Sequence, residues 1–192
     1  MARPLSEHRR AALLDAATKV FAEHGLSAPT SLISKTAGVA EGSLFTYFKT
    51  KDELINALYR EIRLDFAAAV MNGFPRKASV RDRLKHVWTR YVAWNVENPV
   101  ARKALRHVSM SRAITADVRA EGSVLFAEVE RLQADAVEQR RLKLPPVMAS
   151  QALKALADMT TDLIERQPEH SRQFTASGFQ MLWGALTSKP PT

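Results

Sequence analysis

The 192-residue chain has no cysteine, which excludes disulfides and thiolate metal sites and fits a reducing compartment. Its seven glycines are scattered singly, so there is no glycine-rich loop to cradle a phosphate. No apolar run approaches the roughly 20 residues of a membrane-spanning helix. The opening Met1-Ala2-Arg3-Pro4-Leu5-Ser6 lacks the apolar stretch of a signal peptide. The histidines, His8, His24, His86, His107 and His170, show no metal-ligand spacing. There is no cysteine nucleophile and no nucleophile-elbow pattern. No segment alternates apolar and polar residues with the period of a strand. The sequence therefore predicts a cytoplasmic all-α protein with no cofactor, no metal, no membrane partner and no enzymatic activity.

What is present is helical spacing broken by helix punctuation. Leu13, Ala17, Val20 and Phe21 share a face of a first helix that Ser6 caps and Gly25 ends. Short helices follow near Thr30–Ala37, with Pro29 at the start, and Gly42–Phe48. A longer one runs from Lys51 to about Asn72, with Leu54, Leu58, Ile62, Phe66 and Val70 in register. Ser79 with Asp82 has the spacing of a capping box, and Asn98-Pro99 is an N-cap followed by a helix-starting proline. Thr115 is placed to cap a long helix carrying Val118, Leu125, Phe126, Val129, Leu132 and Ala136. After Leu144-Pro145-Pro146, two helices, about Val147–Arg166 and Ser171–Leu186, finish the chain, nine in all. Lys189-Pro190-Pro191-Thr192 is expected to be a disordered tail.

Net charge is +8, which suits a polyanionic partner. The excess is not at the N-terminus. Residues 1–76 carry ten Lys/Arg against eight Asp/Glu, residues 77–143 fourteen against eight, and residues 144–192 four against four. Within 77–112, nine basic residues face only Asp82 and Glu97. A solvated basic face, an anionic ligand and added potential near nucleic acid all fit that bias.

Residues 30–51 form a short helix, a turn containing Gly38, and a second short helix, the helix-turn-helix arrangement. Gly38 can take the left-handed conformation of the turn. Leu44 and Phe48, four apart, face inward, which turns Gly42, Ser43 and Thr46 outward with Phe45 and Tyr47 at the flank. The run Ala37-Gly38-Val39, then Gly42-Ser43-Leu44-Phe45-x-Tyr47-Phe48-x-x-Lys51-x-x-Leu54, with Ala16-Ala17-x-x-x-Phe21-x-x-x-Gly25 before it, resembles the N-terminal domain of TetR/AcrR-family transcriptional regulators. The resemblance covers residues 9–63. Ser34 stands where the family usually has Ala, and Phe45 where Tyr is common. Ala28-Pro29-Thr30 departs from the family's Thr-rich entry to the second helix.

The resemblance implies a DNA-binding domain at 1–52 and a helical ligand-binding and dimerisation domain at 53–192. In that frame Gly42, Ser43, Phe45 and Thr46 read or abut bases. Tyr47, Lys51 and Thr30 or Ser31 bond phosphates, with Lys35 and Lys49 as further phosphate contacts. The implied partners are a palindromic operator in double-stranded DNA, a second copy of the chain and a small-molecule effector of unknown identity, in the manner of a ligand-responsive repressor.

Two features of the later chain bear on those partners. The last two helices are apolar on more than one side, through Met148, Ala152, Leu156, Met159, Leu163 and Ile164, and through Phe174, Phe179, Met181, Leu182, Trp183 and Leu186. Such helices need burial on more than one side, by a homodimer interface or by the rest of one monomer. Phe66, Trp88, Tyr91, Met110 and Phe126, with Met71, Trp94 and His107, are candidates to line an apolar pocket; plain core is the alternative. A helical module whose head binds protein rather than DNA is the other class of function; substitution at Tyr47 or Lys51 separates the two.

Overall fold

A computed structural model describes residues 6–124 and 145–187. Among the described residues there are nine α-helices and no strand. They are α1 (Glu7–His24), α2 (Thr30–Thr36), α3 (Glu41–Tyr47), α4 (Lys51–Met71), α5 (Val80–Glu97), α6 (Pro99–Ser109), α7 (Ala116–Val124), α8 (Pro146–Arg166) and α9 (Ser171–Leu186). None of them is long and apolar enough to cross a membrane. Residues 125–136 of the expected long helix, and the tail from Lys189, lie outside the described residues. A short 3-10 turn, Pro168–His170, joins α8 to α9.

Local chemistry accounts for the boundaries. Ser79 accepts the Asp82 backbone N–H at 3.1 Å and donates its hydroxyl to the Asp82 carboxylate, a side-chain cap at the start of α5 in which the carboxylate takes the serine hydroxyl rather than its N–H. Thr115 accepts the Val118 N–H at 3.3 Å and caps α7. Ser6 sits at the N-cap of α1, but its hydroxyl makes no cap bond. Its carbonyl accepts the Arg10 N–H, and its own N–H is drawn to Tyr47. Asn98 likewise occupies the N-cap of α6 without a side-chain cap bond.

The chain divides into two compact units. The first takes residues to Asp65 and Asn98–Ser123; the second takes Phe66–Glu97 and the residues from Val124 on. Helix α4 runs unbroken through residues 52 and 53, and α6 packs on α1 within the first unit. Residues 98–123 thus pack with the first unit because α1 needs a partner for its apolar face, though they are remote from it in sequence.

In the first unit Leu13, Leu14, Ala17, Phe21, Ile33, Leu44, Leu54 and Leu58 are almost wholly buried. The register expected for α1 and for the first part of α4 is observed. Asn56 ties the unit together. Its amide donates to the Asp52 and Ala113 carbonyls at 2.7 and 2.8 Å, and its oxygen accepts the Thr115 N–H at 3.1 Å. All the hydrogen-bonding groups of that buried side chain have partners except one lone pair. Arg60 on α4 makes a two-pronged ion pair with Glu121 on α7. This bond lowers the Glu121 carboxyl below its ordinary value and raises the Arg60 guanidinium.

The core of the second unit is Phe66, Val70, Leu84, Val87, Trp88, Val92, Ala157, Phe179, Leu182 and Leu186, all buried. Helices α5, α8 and α9 pack on one another. They crowd together at Gly178, where a Cβ would lie 2.5 Å from the Trp88 ring and 2.6 Å from the Thr160 hydroxyl. Trp88 donates its indole N–H to the Thr175 carbonyl at 2.8 Å, so burying the ring leaves no donor unpaired.

Candidate nucleic-acid interface

The turn between α2 and α3 is a Schellman motif. The Val39 N–H reaches the Ser34 carbonyl at 3.0 Å and the Gly38 N–H the Lys35 carbonyl at 3.1 Å, with Gly38 at φ +68°. Ser34, almost fully buried, folds its hydroxyl back onto the Thr30 carbonyl, which satisfies the donor where a larger side chain would hold the helices apart. Leu44 and Phe48 are buried, 0% and 3% exposed, and fix the rotation of α3 about its axis.

That rotation leaves one face of α3 in solvent. Gly42 and Thr46 are exposed, Ser43 is half-buried, and Phe45 is 43% exposed. The Thr46 hydroxyl donates to the Gly42 carbonyl at 3.1 Å, and its oxygen remains free to accept. At the flanks, Ser31, Lys35 and Lys49 are exposed and Thr30 is half-buried.

Tyr47 and Lys51 are half-buried, each tied to the backbone of a distant loop or terminus. The Tyr47 hydroxyl accepts the Ser6 N–H at 3.1 Å, so its O–H is still available to donate. The Lys51 ammonium donates to the Ala28 carbonyl at 2.6 Å and lies 5.9 Å from the centre of the Phe21 ring. One of its three N–H groups holds the entry to α2 and two remain.

The structure adds residues that the sequence reading left out. Thr50 accepts the Glu53 N–H, and the Glu53 carboxylate accepts the Lys49 N–H at 2.8 Å, closing the N-terminus of α4. The Thr-x-x-Glu spacing is a legible signal for this. Arg10 lies 5.6 Å from the centre of the buried Phe48 ring, a long-range contact with no signal in the sequence.

Of the five residues read as pocket-lining, Phe66, Trp88 and Tyr91 lie in the second unit. Phe66 packs edge-on to Tyr91 and Trp94, with ring centroids 4.8 and 5.0 Å apart. Trp88, in the same unit, is locked into the contact of α5 with α9. Met110 belongs to the first unit and is 84% exposed, and His107 is also exposed there. Phe126 lies outside the described residues.

The geometry agrees with what the chain is similar to. Residues 13–58 match the family model for bacterial regulatory proteins of the tetR family. The fatty acid metabolism regulator protein of Bacillus subtilis is 32% identical over 80 residues, 41% of either chain, so the chain spans less than half that relative's length. The HTH-type transcriptional regulator BetI of Paraburkholderia phymatum is 30% identical over 162 residues, 83% of this chain and 81% of that one. The solved structure of a tetR family transcription regulator from Shewanella sp. PV-4 superposes with a TM-score of 0.84 at 22% identity, covering 94% of this chain and 99% of that one. With a matching head and a relative aligned over most of both chains, the chain belongs to the TetR family of bacterial regulatory proteins.

Proposed function

We propose that the chain is a DNA-binding transcriptional regulator, a ligand-responsive repressor that sits as a homodimer on a palindromic operator. The observation that carries this is the face of α3. Its seven residues make a helix about 10 Å long, matched to a major groove about 12 Å wide. Leu44 and Phe48 are buried beneath it and Gly42, Ser43, Phe45 and Thr46 are presented. Hydroxyls bond base edges or phosphates, and the Phe45 ring suits a thymine methyl. Tyr47, Lys51, Lys35, Lys49 and Thr30 or Ser31 supply phosphate contacts around it.

The homodimer reading rests on α8 and α9. Met148, Met159 and Met181 are 54%, 39% and 53% exposed, and Ala152, Ala155 and Leu156 on α8 and Gly184 and Ala185 on α9 continue apolar stripes of small or flexible side chains. Ile164, Phe179, Leu182 and Leu186 point into the unit's own core. Two stripes per chain make a self-complementary four-helix contact about a two-fold axis. An effector is expected at the Phe66–Tyr91–Trp94 cluster. Coupling of about 1–3 kcal/mol to the head changes DNA affinity tenfold to hundredfold.

The test is selection of bound duplexes from a random pool, followed by affinity against salt. A palindromic winner whose affinity falls steeply with salt supports a symmetric dimer making several phosphate contacts. Weak, sequence-independent binding, unchanged by Tyr47→Phe or Lys51→Met, overturns it.

A further inference from the structure

A second candidate site lies within the second unit, lined by none of Phe66, Tyr91 or Trp94. Helices α5 and α9 diverge around an open cleft of about 390 Å³, lined by Arg81, Lys85, Trp88 and Thr89 from α5 and by Ser171, Arg172, Thr175, Ala176, Phe179 and Gln180 from α9. The lining contains three cations and no carboxylate. Among the described residues no ion pair involves Lys85 or Arg172. Grouping three like charges around one cleft is unfavourable, and an anion held between them relieves that repulsion.

The cleft's exposed lining is mixed, with more apolar than polar surface, and its charge is all of one sign. Trp88 and Phe179 form the floor but are 0% and 3% exposed, so an apolar ligand finds little ring surface to cover. Beside exposed Ala176, the accessible polar groups are the heads of Arg81, Lys85 and Arg172 with the side chains of Thr89, Ser171 and Gln180. Every one of these can donate a hydrogen bond. The Arg81 guanidinium lies 5.7 Å from the centre of the Phe179 ring and 5.8 Å from that of Trp183. A guanidinium held against aromatic rings is pre-positioned and keeps its donors for an oxyanion.

We propose that this cleft binds a small, multiply charged anion, a phosphate ester or a polycarboxylate. The proposal goes beyond the repressor reading and does not depend on it. On α9 the cleft residues Arg172, Ala176 and Phe179 share a face that Met181 does not, while Gln180 lies one turn before Gly184 at the border between the two. Binding there joins α5 to α9 and raises the thermal stability of the chain in proportion to occupancy.

The test uses the full chain without DNA, titrated calorimetrically with pyrophosphate and with citrate, and with acetate at matched ionic strength. The expected result is one saturable site per chain, with pyrophosphate or citrate at least tenfold tighter than acetate. Lys85→Gln with Arg172→Gln, both at exposed positions, weakens that binding at least tenfold while leaving the unliganded melting temperature equal or slightly higher, since two of three like charges are removed. Arg81→Lys keeps the charge, loses the planar fork and weakens binding further than its charge predicts. Binding that never saturates, that is equal for acetate, or that survives the double substitution overturns the proposal. So does a double variant that keeps its small-anion response unchanged but loses affinity and salt slope for duplex DNA, since the cleft would then serve the phosphate backbone. Because the titration contains no DNA, its failure leaves the repressor reading untouched.

Discussion

The Tyr47 hydroxyl accepts the backbone N–H of Ser6, 41 residues earlier, at 3.1 Å. One side chain thereby fixes the start of α1 and the end of α3. Tyr47→Phe removes that acceptor and the donor proposed for a phosphate. DNA affinity should fall about fivefold to thirteenfold, the worth of one hydrogen bond of about 1–1.5 kcal/mol, as read by fluorescence anisotropy. Amide exchange at residues 7–10 should quicken, with little change in global stability because the bond is exposed. Unaltered exchange there would show that the bond does not order α1.

Two glycines of the helix-turn-helix have equal room and opposite needs. A Cβ at Gly38 or at Gly42 meets nothing within 4 Å, yet only Gly38 has a positive φ, +68°. Gly38→Ala should cost about 1–2 kcal/mol from the backbone alone, or roughly 2–8 °C in melting temperature for a chain this long. Gly42→Ala should leave the melting temperature equal or slightly higher, since alanine favours the helix. It should still weaken DNA binding if the α3 backbone approaches the groove. Scanning calorimetry with a binding assay separates the two.

At Gly178 the objection to a side chain is space rather than conformation. Its Cβ would fall 2.5 Å from the Trp88 ring and 2.6 Å from the Thr160 hydroxyl. Gly178→Ala should destabilise by about 1–3 kcal/mol through overpacking, seen as a lower urea midpoint. An unchanged midpoint would mean that α9 moves away from α5 and α8 without penalty.

The Arg60–Glu121 pair gives a pH dependence of known sign. Its hydrogen bond holds the Glu121 carboxyl below the ordinary value. The stabilisation is therefore present above the unfolded carboxylate pKa, about 4.3, and is lost as pH falls through the lowered folded value. Glu121→Gln should be slightly less stable than the parent near pH 7, and the difference should vanish in acid. Both side chains are half-exposed, so the effect should be small and shrink with salt. A difference that grew in acid would contradict the assignment.

The parts of the fold that were legible in the sequence are periodic or punctuated. Leu54, Leu58, Ile62, Phe66 and Val70 repeat every four residues, and all are buried. Gly38, Leu44 and Phe48 follow local rules and sit where those rules place them. Illegible were the ties between distant segments: Asn56 to Ala113 and Thr115, Lys51 to Ala28, Ser6 to Tyr47. Spacing along one helix says nothing of a partner dozens of residues away. Met110, a pocket candidate by residue type, follows the end of α6 and is exposed. The cleft between α5 and α9 escaped for the same reason: Lys85 and Arg172 become neighbours only when two helices pack.

Helix α4 gives Leu54, Leu58 and Ile62 to one core and Phe66 and Val70 to the other within a single run of backbone hydrogen bonds, and α6 returns to cover α1. Chimeras that graft this head onto another regulator are therefore constrained in where they can be spliced. A crossover at residue 65 cuts a helix rather than a linker and strips α1 of the native surface against which it packs. A graft carrying residues 98–123 along with the head keeps that surface, so the exchangeable cassette is discontinuous in the gene.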